Sequence, residues 1–134
     1  LKTQGEKIMA DQAFAGWVLN VSGSAIYQKG TNVTLGATYN LLPSDGRLDV
    51  ETDGSATITS IVLPAASSTT ENRIVQIVDV GGHANLDHID ITVSGGGLIS
   101  GAATYTIGTN YGSVTLLGAP VGTASAWIVI NQVT

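Results

Sequence analysis

From Trp17 to Ile130 the chain is cut into short apolar or alternating runs, each stopped by glycine, proline, serine, asparagine or aspartate. No stretch of ten residues carries helical periodicity with caps. That beat admits an all-β fold and little else. Residues 17–21, 25–28, 33–35 and 38–42 read as the first strands, with turns at 21–24 and 29–32. Pro43-Ser44-Asp45-Gly46 has turn chemistry at every position. The next run alternates strictly, with Leu48 and Val50 on one face and Asp49 and Glu51 on the other. Residues 56–63 end at Pro64, which cannot donate to a ladder, and 73–80 is the most apolar run. Residues 89–93, 98–99, 104–107, 111–117 and 126–130 complete about ten strands. Their spacing predicts a compact antiparallel sandwich or barrel-like module rather than βαβ units.

Composition agrees. Gly, Ser and Thr make up 44 of the 134 residues and Val and Ile another 25, whereas only 15 are charged. The absence of cysteine excludes a disulfide scaffold, a thiol nucleophile and any thiolate metal site. A net charge of −5 argues against a nucleic-acid partner held through phosphate neutralisation. No apolar run is long enough to span a bilayer, so no membrane partner is expected.

Residues 1–16 stand apart. They hold four charges (Lys2, Glu6, Lys7 and Asp11), and their apolar Ile8, Met9, Ala13 and Phe14 form no helical stripe. The chain opens on Leu1 and reads as processed, or as lacking its true start, with no secretory signal at its head. The expected division is an N-terminal arm with the first strands over 1–35, facing a partner, and a β-rich oligomerising module over 36–134.

After Asp90 the remaining 44 residues contain no Asp, Glu, Lys or Arg, whereas residues 41–90 hold eight acids against Arg47 and Arg73. Monomeric sheet proteins usually guard their edges with charge, especially lysine. Strands without that protection are expected to be covered by sister copies. Tyr105, Tyr111, Val114, Leu116, Trp127 and Ile128 are the residues expected to line such contacts. Trp127, within Ala-Trp-Ile-Val-Ile, reads as a core or interface anchor.

Chemistry is sparse. Asp79, His83, Asp87, His88 and Asp90 are the densest set of possible metal ligands, but their spacing matches no ligand pattern, and a solvated connection is the expected reading. Asp49, Glu51 and Asp53 mark a wet strand face. No Gly-x-Ser-x-Gly elbow occurs, and Gly95-Gly96-Gly97 lacks the lysine and helix of a phosphate loop. No catalytic residue, cofactor or metal is expected.

Several short blocks, in order over about residues 36–134, carry a resemblance. They are Leu41-Leu42-Pro43-Ser44-Asp45-Gly46, Ile61-Val62-Leu63-Pro64-Ala65-Ala66, Arg73-Ile74-Val75-Gln76-Ile77-Val78-Asp79, Gly101-Ala102-Ala103-Thr104-Tyr105, Tyr111-Gly112-Ser113-Val114-Thr115-Leu116 and Trp127-Ile128-Val129-Ile130. Together they resemble small β-rich modules of tailed-bacteriophage decoration, head-fibre and tail-fibre proteins. One departure is Gly122-Thr123-Ala124-Ser125-Ala126-Trp127, where such modules approach the last strand through glycine, asparagine and tryptophan. The resemblance implies a non-enzymatic virion protein at the particle surface, commonly a homotrimer about a three-fold axis.

Within that class the expected role is capsid decoration. The chain would bridge copies of the major capsid protein, with Ile8, Phe14 and Trp17 as anchors of the shell contact. A fibre tip reading a host-surface glycan and a non-viral carbohydrate-binding module are the alternatives.

Overall fold

The computed structural model describes the backbone of Trp17–Asn20 and Ala25–Gln28 and, with side chains, residues 30–134. Strands β1 (Trp17–Asn20) and β2 (Ala25–Gln28) pair antiparallel with each other. Nine further strands follow: β3 (Gly30–Val33), β4 (Thr38–Asn40), β5 (Arg47–Val50), β6 (Thr59–Leu63), β7 (Ile74–Asp79), β8 (Ile89–Val93), β9 (Thr104–Ile107), β10 (Ser113–Gly118) and β11 (Trp127–Val133). Apart from one 3-10 turn at Ser94–Gly96, no helix occurs among the described residues.

From β3 to β8 successive strands fall in opposite sheets. One sheet has the order β11-β10-β7-β5-β3 and the other β4-β6-β8-β9. The chain therefore coils, and each return to a sheet runs in the same direction as the strand before it. The pairings β3–β5, β5–β7, β4–β6 and β6–β8 are parallel. This corrects the antiparallel expectation, and neither sheet closes into a barrel. Only the last three strands turn back, with β9 on β8 and β10 on both β7 and β11. Ile130 is an extra residue at a bulge in β11, where the register shifts between Thr115 and Leu116.

Burial strictly alternates along the central strands, so both sheets turn one side toward a single core. On the five-stranded sheet one inward row reads Thr31, Leu48, Ile77, Val114, Gln132; on the other, Tyr39, Ile61, Ile91, Tyr105. The middle of each row is apolar and fully buried. Each such side chain is worth about 1.5–3 kcal/mol of apolar burial.

The ends of the rows are polar. Thr31 Oγ1 and the Tyr39 hydroxyl donate to opposite oxygens of buried Asp45, at 2.9 and 2.8 Å. At the far end the Tyr105 hydroxyl donates to Gln132 Oε1 at 2.6 Å. At each end these two rows thus meet in a hydrogen-bonded bridge between the sheets.

Two sequence boundaries move. Residues 30–32, read as a turn, belong to β3, where they pair with Arg47, Leu48 and Asp49. Val33 lies in the core, so the boundary at residue 35 cuts through the five-stranded sheet, which begins at Gly30. Residues 98–99 form only isolated bridges, Ile99 meeting Ala102 and Trp127.

Candidate functional site

The coil has two sets of connections, and the one formed by residues 51–58, 80–88 and 108–112 carries Glu51, Asp53, His83, Asp87, His88 and Tyr111, with Asp79 at its edge. Asp79, at the end of β7, is 1% exposed. Its Oδ1 accepts from the Thr52 hydroxyl at 2.6 Å and from Gly81 and Gly82 N–H at 3.1 and 2.9 Å. Its Oδ2 accepts from Ala84 and Tyr111 N–H, both at 3.0 Å. One carboxylate therefore ties three connections together.

Asp87, in the 80–88 connection, holds the 51–58 connection alone. It accepts from Asp53, Gly54 and Thr57 N–H at 2.8, 2.6 and 3.0 Å and is fully buried. For both groups burial pushes the pKa up, but the donors outweigh it and hold the carboxyl below its ordinary value. The solvated connection expected here is thus corrected for Asp79 and Asp87, which are buried acceptors of backbone N–H groups. An aspartate in a glycine-rich loop reads as wet in sequence; the local signal for the alternative is Asp79 ahead of Gly81-Gly82, whose N–H groups it accepts.

His83 and His88 are exposed, and Asp90 is half-buried on the outside of β8, where it accepts from Thr106 at 2.6 Å. Among the described residues no three His, Asp or Glu side chains converge on a metal-sized site. Asp49 is held by Arg47 at 2.8 Å, while Glu51 and Asp53 are exposed in the connection after β5.

The opposite connections, 41–46 and 64–73, enclose a pocket of about 250 Å3 lined by Leu41, Pro43, Pro64, Thr69, Thr70 and Arg73. Arg73 Nη2 donates to the carbonyls of Leu42 and Asp45. No nucleophile–base pair lines this pocket.

The outer sides of the sheets differ in character. On the four-stranded sheet the outward rows are Thr38, Ser60, Asp90, Thr106 and Asn40, Val62, Thr92, Thr104. These are almost wholly polar. On the five-stranded sheet Ile74, Leu117 and Ile128 stand side by side in one row, with Val78 and Val133 flanking Ser113 in another. Ile74 is 48% exposed and Val133 56%. The charges on the described outer side of this sheet are Arg47 and Asp49, which pair with each other. An apolar row on a neutral sheet face is the broadest candidate for contact with another molecule.

The six residues expected at a copy–copy interface separate accordingly. Val114, Leu116 and Trp127 have no exposed surface and belong to the chain's own core, which corrects their placement at an interface. For Val114 and Leu116 the alternation with Ser113 and Thr115 carries that signal. The Trp127 indole N–H donates to the Pro64 carbonyl at 2.9 Å, and its ring closes the core. Ile128 lies in the outward apolar row, Tyr105 in the polar bridge at the C-terminal end, and Tyr111 among the Asp79 connections at 67% exposure. Ile8 and Phe14 lie outside the described residues, and for Trp17 only the backbone, in β1, is described.

Comparison with known proteins finds no family model that matches this chain and no curated protein that matches it.

Proposed function

We propose that this chain is a non-catalytic structural module of a bacteriophage particle, working as a homo-oligomer, and as a trimer in the form its sequence resemblance implies. The observation that carries the reading is the outer side of the five-stranded sheet, where Ile74, Leu117 and Ile128 form an apolar row on a face whose two charges cancel. A chain of net charge −5 repels its own copies. A self-neutral face is where like chains approach at least electrostatic cost, and apolar side chains there gain by leaving water. Among the described residues a polar bridge at each end of the coil joins the two sheets, which favours lateral contact over end-to-end growth.

In this role the oligomer decorates the capsid. Contacts from each copy to the major capsid protein, through Ile8, Phe14 and Trp17, add by avidity rather than by one tight site. Asp79 and Asp87 are engaged as acceptors of Thr52 and backbone N–H groups and order the connections, which supports a scaffold over an enzyme.

Sedimentation of the intact chain tests the assembly: several subunits are expected, and a stable 13.6 kDa species at micromolar concentration overturns it. Removing residues 1–16 should abolish attachment to capsids while the oligomer persists; unchanged occupancy refutes the arm contact.

A further inference from the structure

Tyr111 is out of place for a merely structural residue. It sits in the 108–112 connection with a φ of 58°, in the left-handed region that bulky side chains rarely occupy, and remains 67% exposed. Three contacts hold it there. Its N–H donates to buried Asp79 at 3.0 Å, Gly112 N–H donates to Thr109 O at 2.8 Å, and Asp79 N–H donates to Gly112 O at 2.9 Å.

The ring lies over Gly82, itself at φ 80°, where any Cβ would overlap the Tyr111 side chain. The hydroxyl end of the ring is therefore seated on bare backbone while much of the side chain stays open to water. A strained backbone that fixes an exposed aromatic points to a use for that aromatic. Tyrosine supplies rigid, amphipathic contact area at low entropic cost.

The surroundings select a partner. Asn110 Oδ1 accepts from Asn85 N–H at 3.0 Å, which brings the two asparagine-bearing connections together, while the His83 ring lies toward Gly54 with Nδ1 3.3 Å from Thr52 O. The asparagine side chains offer donors and acceptors suited to hydroxyl groups. Glu51 and Asp53 are exposed in a neighbouring connection, and no described Lys or Arg lies in residues 51–58, 80–88 or 108–112, so an anionic ligand is repelled.

We infer that Tyr111, seated on Gly82 beside the Asn85–Asn110 contact, is a binding platform for a neutral sugar ring. The sugar stacks its apolar face on the phenol and turns its hydroxyls to the polar rim. The platform is on the connections rather than on the outer side of the five-stranded sheet, so it does not depend on copy–copy association.

The test is saturation-transfer NMR on the full chain with methyl glucoside, methyl galactoside, methyl mannoside and N-acetylglucosamine, with glucuronic acid as the charged counterpart. Tyr111→Asn removes the ring while keeping a residue that tolerates positive φ; Tyr111→Phe keeps the ring. The expected result is transfer to at least one neutral sugar, retained in Tyr111→Phe, weakened about ten-fold or more in Tyr111→Asn, and weaker still for glucuronic acid. No transfer from the unmodified chain to any neutral sugar overturns the inference, as does equal transfer in a folded Tyr111→Asn variant. Loss of oligomer mass in Tyr111→Asn also overturns it, since the ring would then serve a sister copy.

Discussion

Tyr105 and Gln132 meet across the two sheets, the tyrosine hydroxyl donating to the amide oxygen at 2.6 Å. They are the last inward residues of their rows, and the first residues, Thr31 and Tyr39, meet in the same way through Asp45. A coil of parallel strands exposes its core at each end unless something covers it. Here the central inward row of each sheet ends in a hydrogen-bonded, polar pair.

The N-terminal bridge responds to alkali. Burial, followed by the hydrogen bond to Asp45, pushes the Tyr39 hydroxyl from 10.0 up to about 12. Because the folded pKa lies above the unfolded one, this contribution is complete below pH 10 and is lost as pH rises toward 12. Urea titrations across that window should show falling stability, with Tyr39→Phe less stable at neutral pH but less sensitive to alkali. A wild-type and a Tyr39→Phe curve of equal slope would show that the bridge does not titrate. Tyr105, also raised by burial, adds a change of the same sign.

Acid acts on the opposite sign. Asp79 and Asp87 have folded pKa values below their ordinary 3.8, so their contribution is present above that value and disappears as pH falls through the folded one. Asp79→Ala strands the Thr52 hydroxyl and four N–H groups and should cost about 3 kcal/mol at neutral pH. Asp79→Asn should flatten the acid limb of a melting-temperature profile. If the variants melt with the wild type, the carboxylate is not what orders these connections.

Much of the strand content was legible because it is local. The turn at Pro43-Ser44-Asp45-Gly46, the stop at Pro64 and the alternation of Leu48 and Val50 all reappear at the ends and faces of β5 and β6. The parallel order was not legible, because it depends on which sheet the next strand joins, and short strands separated by eight to twelve residues serve a hairpin or a coil equally well. Thr31 illustrates the difficulty: in sequence it follows a glycine and precedes an asparagine, like a turn residue, and only its pairing with Leu48 makes it a strand. Of the candidate surface, Ile128 was read in advance, whereas Ile74 and Leu117 were hidden because their alignment arises from pairing between strands distant in sequence.

Glycine 118 provides a stringent check on the packing between coils. A methyl group added there would overlap the Thr70 carbonyl, since Gly118 exchanges backbone hydrogen bonds with Asn72 and Arg73. Alanine in a strand normally gains about 0.5–1 kcal/mol over glycine. Here overpacking should outweigh that gain, and Gly118→Ala should lose about 1–3 kcal/mol in chemical denaturation. Trp127→Ala, which empties the core beside it, should lose about 3–5 kcal/mol. A stabilised Gly118→Ala would mean that the connection at Thr70 yields without cost.

The outward row Ile74, Leu117 and Ile128 separates assembly from folding. All three keep exposed surface in the single chain, so lysine at any one of them has little to disturb inside the fold. Between like copies each lysine meets either an apolar partner or another lysine, and both outcomes oppose contact. Leu117→Lys should therefore bring the sedimenting mass down to one chain, with the melting curve of the isolated module nearly unchanged. Thr104→Lys, on the polar outer side of the other sheet, should leave the mass as it is. If the second substitution dissociates the oligomer and the first does not, the copies meet through the four-stranded sheet, and its threonine rows rather than the apolar one are the contact surface.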